Sequence, residues 1–155
     1  MKKVLLLAAV IIIAWMVRLL PFSGTDIGKL HPVEAVLITN RDGVVYVETD
    51  TGIFGSGENM ALALSNLILS ASGSVFLETA NYVLIDWRYP ELLQEIGNYF
   101  RPACQLYYYT GVGKLNNIGK YLETHPSTAS ILTHRQGGSE ISHIVIEGEE
   151  YRIEG

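Results

Sequence analysis

The chain has 155 residues, 48% of them apolar and 17% charged, enough apolar material for one buried core and unlike a disordered or fibrous polymer. Its formal net charge of −5 argues against a nucleic-acid binder, which needs clustered Lys and Arg to displace counterions. A single Cys excludes an internal disulfide and any cysteine pair for zinc or redox chemistry.

Lys2 and Lys3 precede an uncharged apolar run over 4–17, and Arg18 and Pro21 follow it. A helix over 4–22 would rise about 28 Å at 1.5 Å per residue, close to the ~30 Å hydrocarbon core of a bilayer. Leu20, Pro21, Phe22, Ser23 and Gly24 offer no small-x-small cleavage site, so 1–24 reads as a retained membrane anchor and not a removed signal peptide. The two lysines hold the N-terminus in the cytoplasm, which puts 25–155 outside it. All sixteen acids but only eight of the eleven bases lie beyond residue 22, so the body is acidic and its leader basic. Residues 25–32, with Gly28 and Pro32, read as a linker.

The folded part begins near Val33. Segments 34–39 and 44–49 are β-branched and apolar, and the Asp42-Gly43 pair between them suits a tight hairpin. Residues 51–57, with Gly52, Gly55 and Gly57, read as a turn, and Ser56 or Gly57 caps a helix over 58–71 whose Met60, Leu64 and Leu67 recur at helical spacing. Segment 75–86 reads as a strand broken near Thr79-Ala80, and 90–101 as a helix opened by Pro90 and stopped by Pro102. A strand over 105–110, a turn at 111–113 and a helix over 115–124 follow. Residues 126–140 are turn-rich, and 141–146 with 150–153 form a closing hairpin. This order predicts an α+β fold, a mixed β-sheet packed with about three helices and preceded by one N-terminal transmembrane helix.

No chemistry emerges from the motifs. Gly55-Ser56-Gly57 lies where phosphate loops lie, but Met60 stands in place of the third glycine, no P-loop Lys is present and Glu58 repels a phosphate. His31, His125, His134 and His143 have no spacing that aims two imidazoles at one metal. No Gly-x-Ser-x-Gly elbow exists, and Glu78 and Asp86 fall at strand-edge positions that are ordinarily solvated. No catalytic residue, metal or cofactor is therefore expected, and Cys104 reads as a small buried residue at the start of a strand. Tyr107 and Tyr109 point to one side of their strand and Tyr108 to the other. With Ile144, Ile146 and Tyr151 of the closing hairpin they make a candidate contact surface, unless the same side chains are core.

Taken in order, the apolar run 33–38, Gly55-Ser56-Gly57 leading into 61–64, the run 82–85, Arg101-Pro102, then 106–109 and Gly111 resemble the N-terminal domain of the Ger(x)C family. These are the C subunits of bacterial spore germinant receptors, and the chain is similar also to the ring-building modules of sporulation membrane complexes. The resemblance spans 33–125, with 126–155 as a C-terminal hairpin extension. Members resembled here carry a lipid-bearing Cys just after the signal, whereas Ser23-Gly24-Thr25 stands here, so the leader itself must anchor. The family's larger C-terminal part has no counterpart in the thirty residues after His125, and its function is not carried over. The resemblance implies a non-catalytic, single-pass protein of the cell or forespore membrane that assembles with other membrane proteins or with itself. The rival expectation is a membrane-tethered small-molecule-binding protein or hydrolase, which should show a deep pocket with converging polar groups.

Overall fold

The computed structural model describes residues 30–154; the expected anchor over 1–24 and most of the expected linker lie outside the described residues. Among the described residues no helix is long and apolar enough to cross a membrane. The last linker positions form a strand, β1 (Leu30–Pro32), which pairs in parallel with β5 (Ser74–Phe76). Next come β2 (Ala35–Arg41) and β3 (Val44–Thr49). The turn between them does what its residue types allow: Asp42 and Gly43 hold φ of 52° and 82°, the left-handed pair that matches the twist of a tight hairpin.

The glycine-rich stretch differs from its expected turn, because only Gly52, at φ 79°, serves a turn, and Phe54–Gly57 is strand β4 against β3. Gly55 and Gly57 let helix α1 (Met60–Ser70) lie directly on that strand. A Cβ at Gly55 would run into the backbone of Ala63 and Leu67, and one at Gly57 would come within 2.7 Å of Ala63 N. The helix cap is Asn59 and neither Ser56 nor Gly57: Asn59 Oδ1 accepts the Leu62 N–H at 2.9 Å.

After β5 and a single 3₁₀ turn (Leu77–Thr79) come β6 (Tyr82–Asp86), helix α2 (Leu92–Ile96) and β7 (Gln105–Gly113). Helix α2 is shorter than the expected 90–101. The expected turn at 111–113 instead prolongs β7 alongside β8 (Ser142–Gly148), where a Cβ on Gly111 would strike the Ile146 carbonyl. Helix α3 (Ile118–Thr124) is followed by a fourth helix, α4 (Ile131–Arg135), inside the segment read as turns. Its start is a capping box, with Ser130 Oγ accepting from Thr133 N–H and Thr133 Oγ1 from Ser130 N–H. The last strand is β9 (Glu150–Glu154).

The fold is thus α+β around a seven-stranded mixed sheet of order β4-β3-β2-β6-β7-β8-β9. β2, β6, β7 and β8 run parallel, β3 and β9 are antiparallel to them, and the edge strand β4, antiparallel to β3, runs in the same direction as the central four. Central strands covered on both faces need unbroken apolar runs, and 35–38 and 83–85 supply them. On the first face Val36, Ile38, Val83, Ile85 and Leu106 pack under α1, α2 and α4. On the second face Leu37, Leu84 and the inner residues of β7 and β8 pack with α3 through Ile118 and Leu122. Residues 126–154 complete this same sheet and both cores, through Ile131 on one face and Ile144 and Ile146 on the other.

Candidate functional site

The five residues read as a contact surface do come together, but inside. Tyr107, Tyr109, Ile144 and Ile146 are buried, and Tyr151 is half-buried, all on the second face with α3. Their hydroxyls confirm a packing role: Tyr107 Oη accepts the Ser127 N–H at 2.7 Å and lies 3.0 Å from the His125 carbonyl, and Tyr151 Oη donates to the Lys114 carbonyl at 2.9 Å. Burial pushes the Tyr107 hydroxyl up to about 12. The alternation that places Tyr107 and Tyr109 on one side is as expected; the correction is that α3 covers that side.

What remains at the surface is set by the two outer strands. β4 is closed by its own helix: Asn66 Nδ2 donates to the Ser56 carbonyl at 2.7 Å, and Ser70 Oγ to the Phe54 carbonyl at 2.8 Å. Such cover blunts an edge against pairing. β9 has none. Among the described residues its backbone makes no hydrogen bond beyond its ladder with β8, and its residues alternate exposed and half-buried.

A second feature lies at the carboxyl ends of the parallel strands. The chain leaving β6 turns to the first face and α2, whereas the chain leaving β7 turns to the second face and α3. Neighbouring strands whose connections part in this way leave a crevice, the usual ligand position of open parallel sheets. Here it is an open cleft of about 490 Å³, lined among others by Thr39, Arg41, Asp86, Arg88 and Tyr109. Asp86 is not the solvated edge residue that the sequence suggested. It is 2% exposed, and Arg88 folds back over it with Nε and Nη2 donating to its two oxygens at 2.9 and 2.6 Å. Burial alone would raise this carboxyl, but the hydrogen bonds and charge of Arg88, with Arg41 adding, hold it below its ordinary value.

Comparison with protein-family models, with curated proteins and with solved structures finds no match. The site rests on its own geometry. Among the described residues no group of three or more His, Cys, Asp or Glu is placed to share a metal ion. Cys104 is 1% exposed, its Sγ contacts the Ala80 carbonyl at 3.6 Å, and burial pushes the thiol up to about 12, so it is a packing residue. The Asp86-x-Arg88 spacing is the one signal for the cleft that the sequence carried: a strand-end acid with an arginine two residues on can close an ion pair over the turn.

Proposed function

We propose that this chain is a non-catalytic assembly module, held in a membrane by 1–24 with its folded part outside the cytoplasm, that acts by contact with other membrane proteins or further copies of itself. The observation that supports the reading is the contrast between the two outer strands. One is sealed by α1 side chains, and the other, among the described residues, is left available. An available strand is a ready template for an added strand, with affinity from main-chain hydrogen bonds and selectivity from alternate side chains. Tethering both partners in one membrane raises their effective concentration, so a short edge suffices. The resemblance of 33–125 to the Ger(x)C N-terminal domain suggests spore germination or sporulation membrane complexes as the setting.

The test is chemical crosslinking of the full-length protein in its native membrane, with a reporter fused after Gly155 to read the side of the membrane. Adducts with membrane proteins and an extracytoplasmic reporter are expected. A cytoplasmic reporter, or no adduct anywhere on the domain, would overturn the reading.

The crevice favours a second reading, a tethered small-molecule-binding protein, because Arg41 and Arg88 present cationic groups beside the buried Asp86. Saturable binding of a small anion that is lost in Arg41→Ala would move the protein to that class.

A further inference from the structure

The free side of β9 specifies what can lie beside it, through hydrogen-bond phase and through charge. The two-residue turn Gly148-Glu149, with Gly148 at φ 68°, closes on the pair Glu147 and Glu150. A two-residue hairpin closes on a pair that exchanges both hydrogen bonds, and the pattern then alternates along the ladder. Tyr151 and Ile153 therefore direct their N–H and C=O groups away from β8.

Charge decides the partner. Glu150, Arg152 and Glu154 are exposed and share the first face, while Tyr151 and Ile153 are half-buried on the second. An antiparallel second copy in full overlap would set Arg152 against Arg152 and Glu150 against Glu154, and a parallel copy in register would set each residue against itself. Like charges directly opposite one another destabilise a pair of strands. A slide of two residues relieves the clash only by shortening the overlap within β9 to Glu150–Arg152 or Arg152–Glu154. Glu147, whose carboxylate lies 3.7 Å from the Arg152 guanidinium, adds more negative charge to the same face.

We infer that β9 pairs with an extended segment of a different protein, one whose alternate residues run basic, acidic, basic against Glu150, Arg152 and Glu154, with apolar residues between them on the Tyr151 side. The inference rests on the assembly reading above and names its partner class. A photoreactive benzoylphenylalanine in place of Glu149, in the exposed turn and outside the charged triplet, tests it in the full-length protein in its native membrane. The crosslinked peptide is then sequenced by mass spectrometry. The expected adduct is a different protein crosslinked within such an alternating segment. Arg152→Glu should cut its yield about tenfold, through one favourable pair made unfavourable, and replacing the partner's acid by Lys should restore it. Adducts with another copy of this chain, adducts with a segment lacking the alternation, or an unchanged yield in Arg152→Glu would each overturn the inference and leave the assembly reading standing. No adduct at 149 together with none anywhere else on the domain overturns both.

Discussion

Arg88 closes over Asp86 at the end of β6, with its Nη2 2.6 Å from Asp86 Oδ2, and so covers a carboxylate that the fold has otherwise buried. The arginine itself stays largely in solvent, its side chain 62% exposed. The pair is lopsided, and the acid depends on the base far more than the reverse.

Removing the arginine exposes that dependence. Arg88→Ala should cost about 1–3 kcal/mol, because a buried charged acceptor loses its donors. The pH response should change as well. With the carboxyl held below its ordinary value, its contribution is fully present above the unfolded pKa of ~3.9 and is lost as pH falls through the lower folded value. In Arg88→Ala burial dominates, the folded pKa rises, and this acid limb should flatten or reverse. Denaturant midpoints measured across the carboxylate titration range, ~pH 2–6, check both signs. An unchanged acid limb would show that Arg88 does not set the Asp86 charge.

Helix α1 lies directly on β4 where Gly55 and Gly57 have no side chain, and the closest approach is at Gly55. Gly55→Ala should therefore destabilise by ~1–3 kcal/mol or more, since the atoms in its way are helix backbone and cannot rotate aside. Leu64→Ala on the buried side of the same helix should cost ~2–5 kcal/mol. Equilibrium unfolding of both variants is the measurement, and a Gly55→Ala midpoint equal to that of the parent would contradict the close approach.

The double variant Asn66→Ala, Ser70→Ala removes the side chains that occupy the Ser56 and Phe54 carbonyls. Loss of about 1 kcal/mol per hydrogen bond is expected, and also concentration-dependent association once β4 can accept another strand. Sedimentation over a range of concentrations reads the second effect. A variant that stays as monodisperse as the parent would mean that something other than α1 guards that edge.

Tyr107→Phe should cost about 1–2 kcal/mol, because the hydroxyl's bonds to Ser127 N–H and the His125 carbonyl are lost while Ser127 N–H keeps Gln105 Oε1 at 3.0 Å. Because burial holds the folded hydroxyl at about 12, the parent should lose stability as pH rises from the unfolded value of ~10. That alkaline loss should shrink in the Phe variant. Thermal unfolding followed across the alkaline range distinguishes the two.

Much of the fold was legible because local chemistry and global position agreed. Asp42-Gly43 suited a tight turn and the β-branched, apolar residues on either side of it read as strands, as they are; that 35–38 is covered on both faces shows only in the structure. Glycine was the misleading residue. At Gly55, Gly57, Gly111 and Gly113 it marks close approach of another backbone or side chain inside regular structure, and a sequence does not distinguish that need from a turn. Helix α4 had a readable signal in Ser130 and Thr133, hidden by the polar residues around it. The candidate surface was the harder case. Alternation put Tyr107 and Tyr109 on one side, but whether that side met water depended on which face the chain took after β7, and no residue near the tyrosines records that choice.

The β2 strand carries one more consequence, for the order in which the protein folds. On one side it pairs with β3 across a two-residue turn, while on the other Val36 must find Val83, a contact that closes a far longer loop. Loop closure costs entropy that grows with length, so β2, β3, β4 and α1 are expected to form a local unit before β6 docks, an order that pulse-labelled hydrogen exchange during refolding would check. Until then the inner edge of β2, which the finished sheet conceals, lies open beside its apolar side chains. Synthesis from the N-terminus lengthens that interval, and the vulnerable surface of the nascent chain is the one that the native molecule hides best.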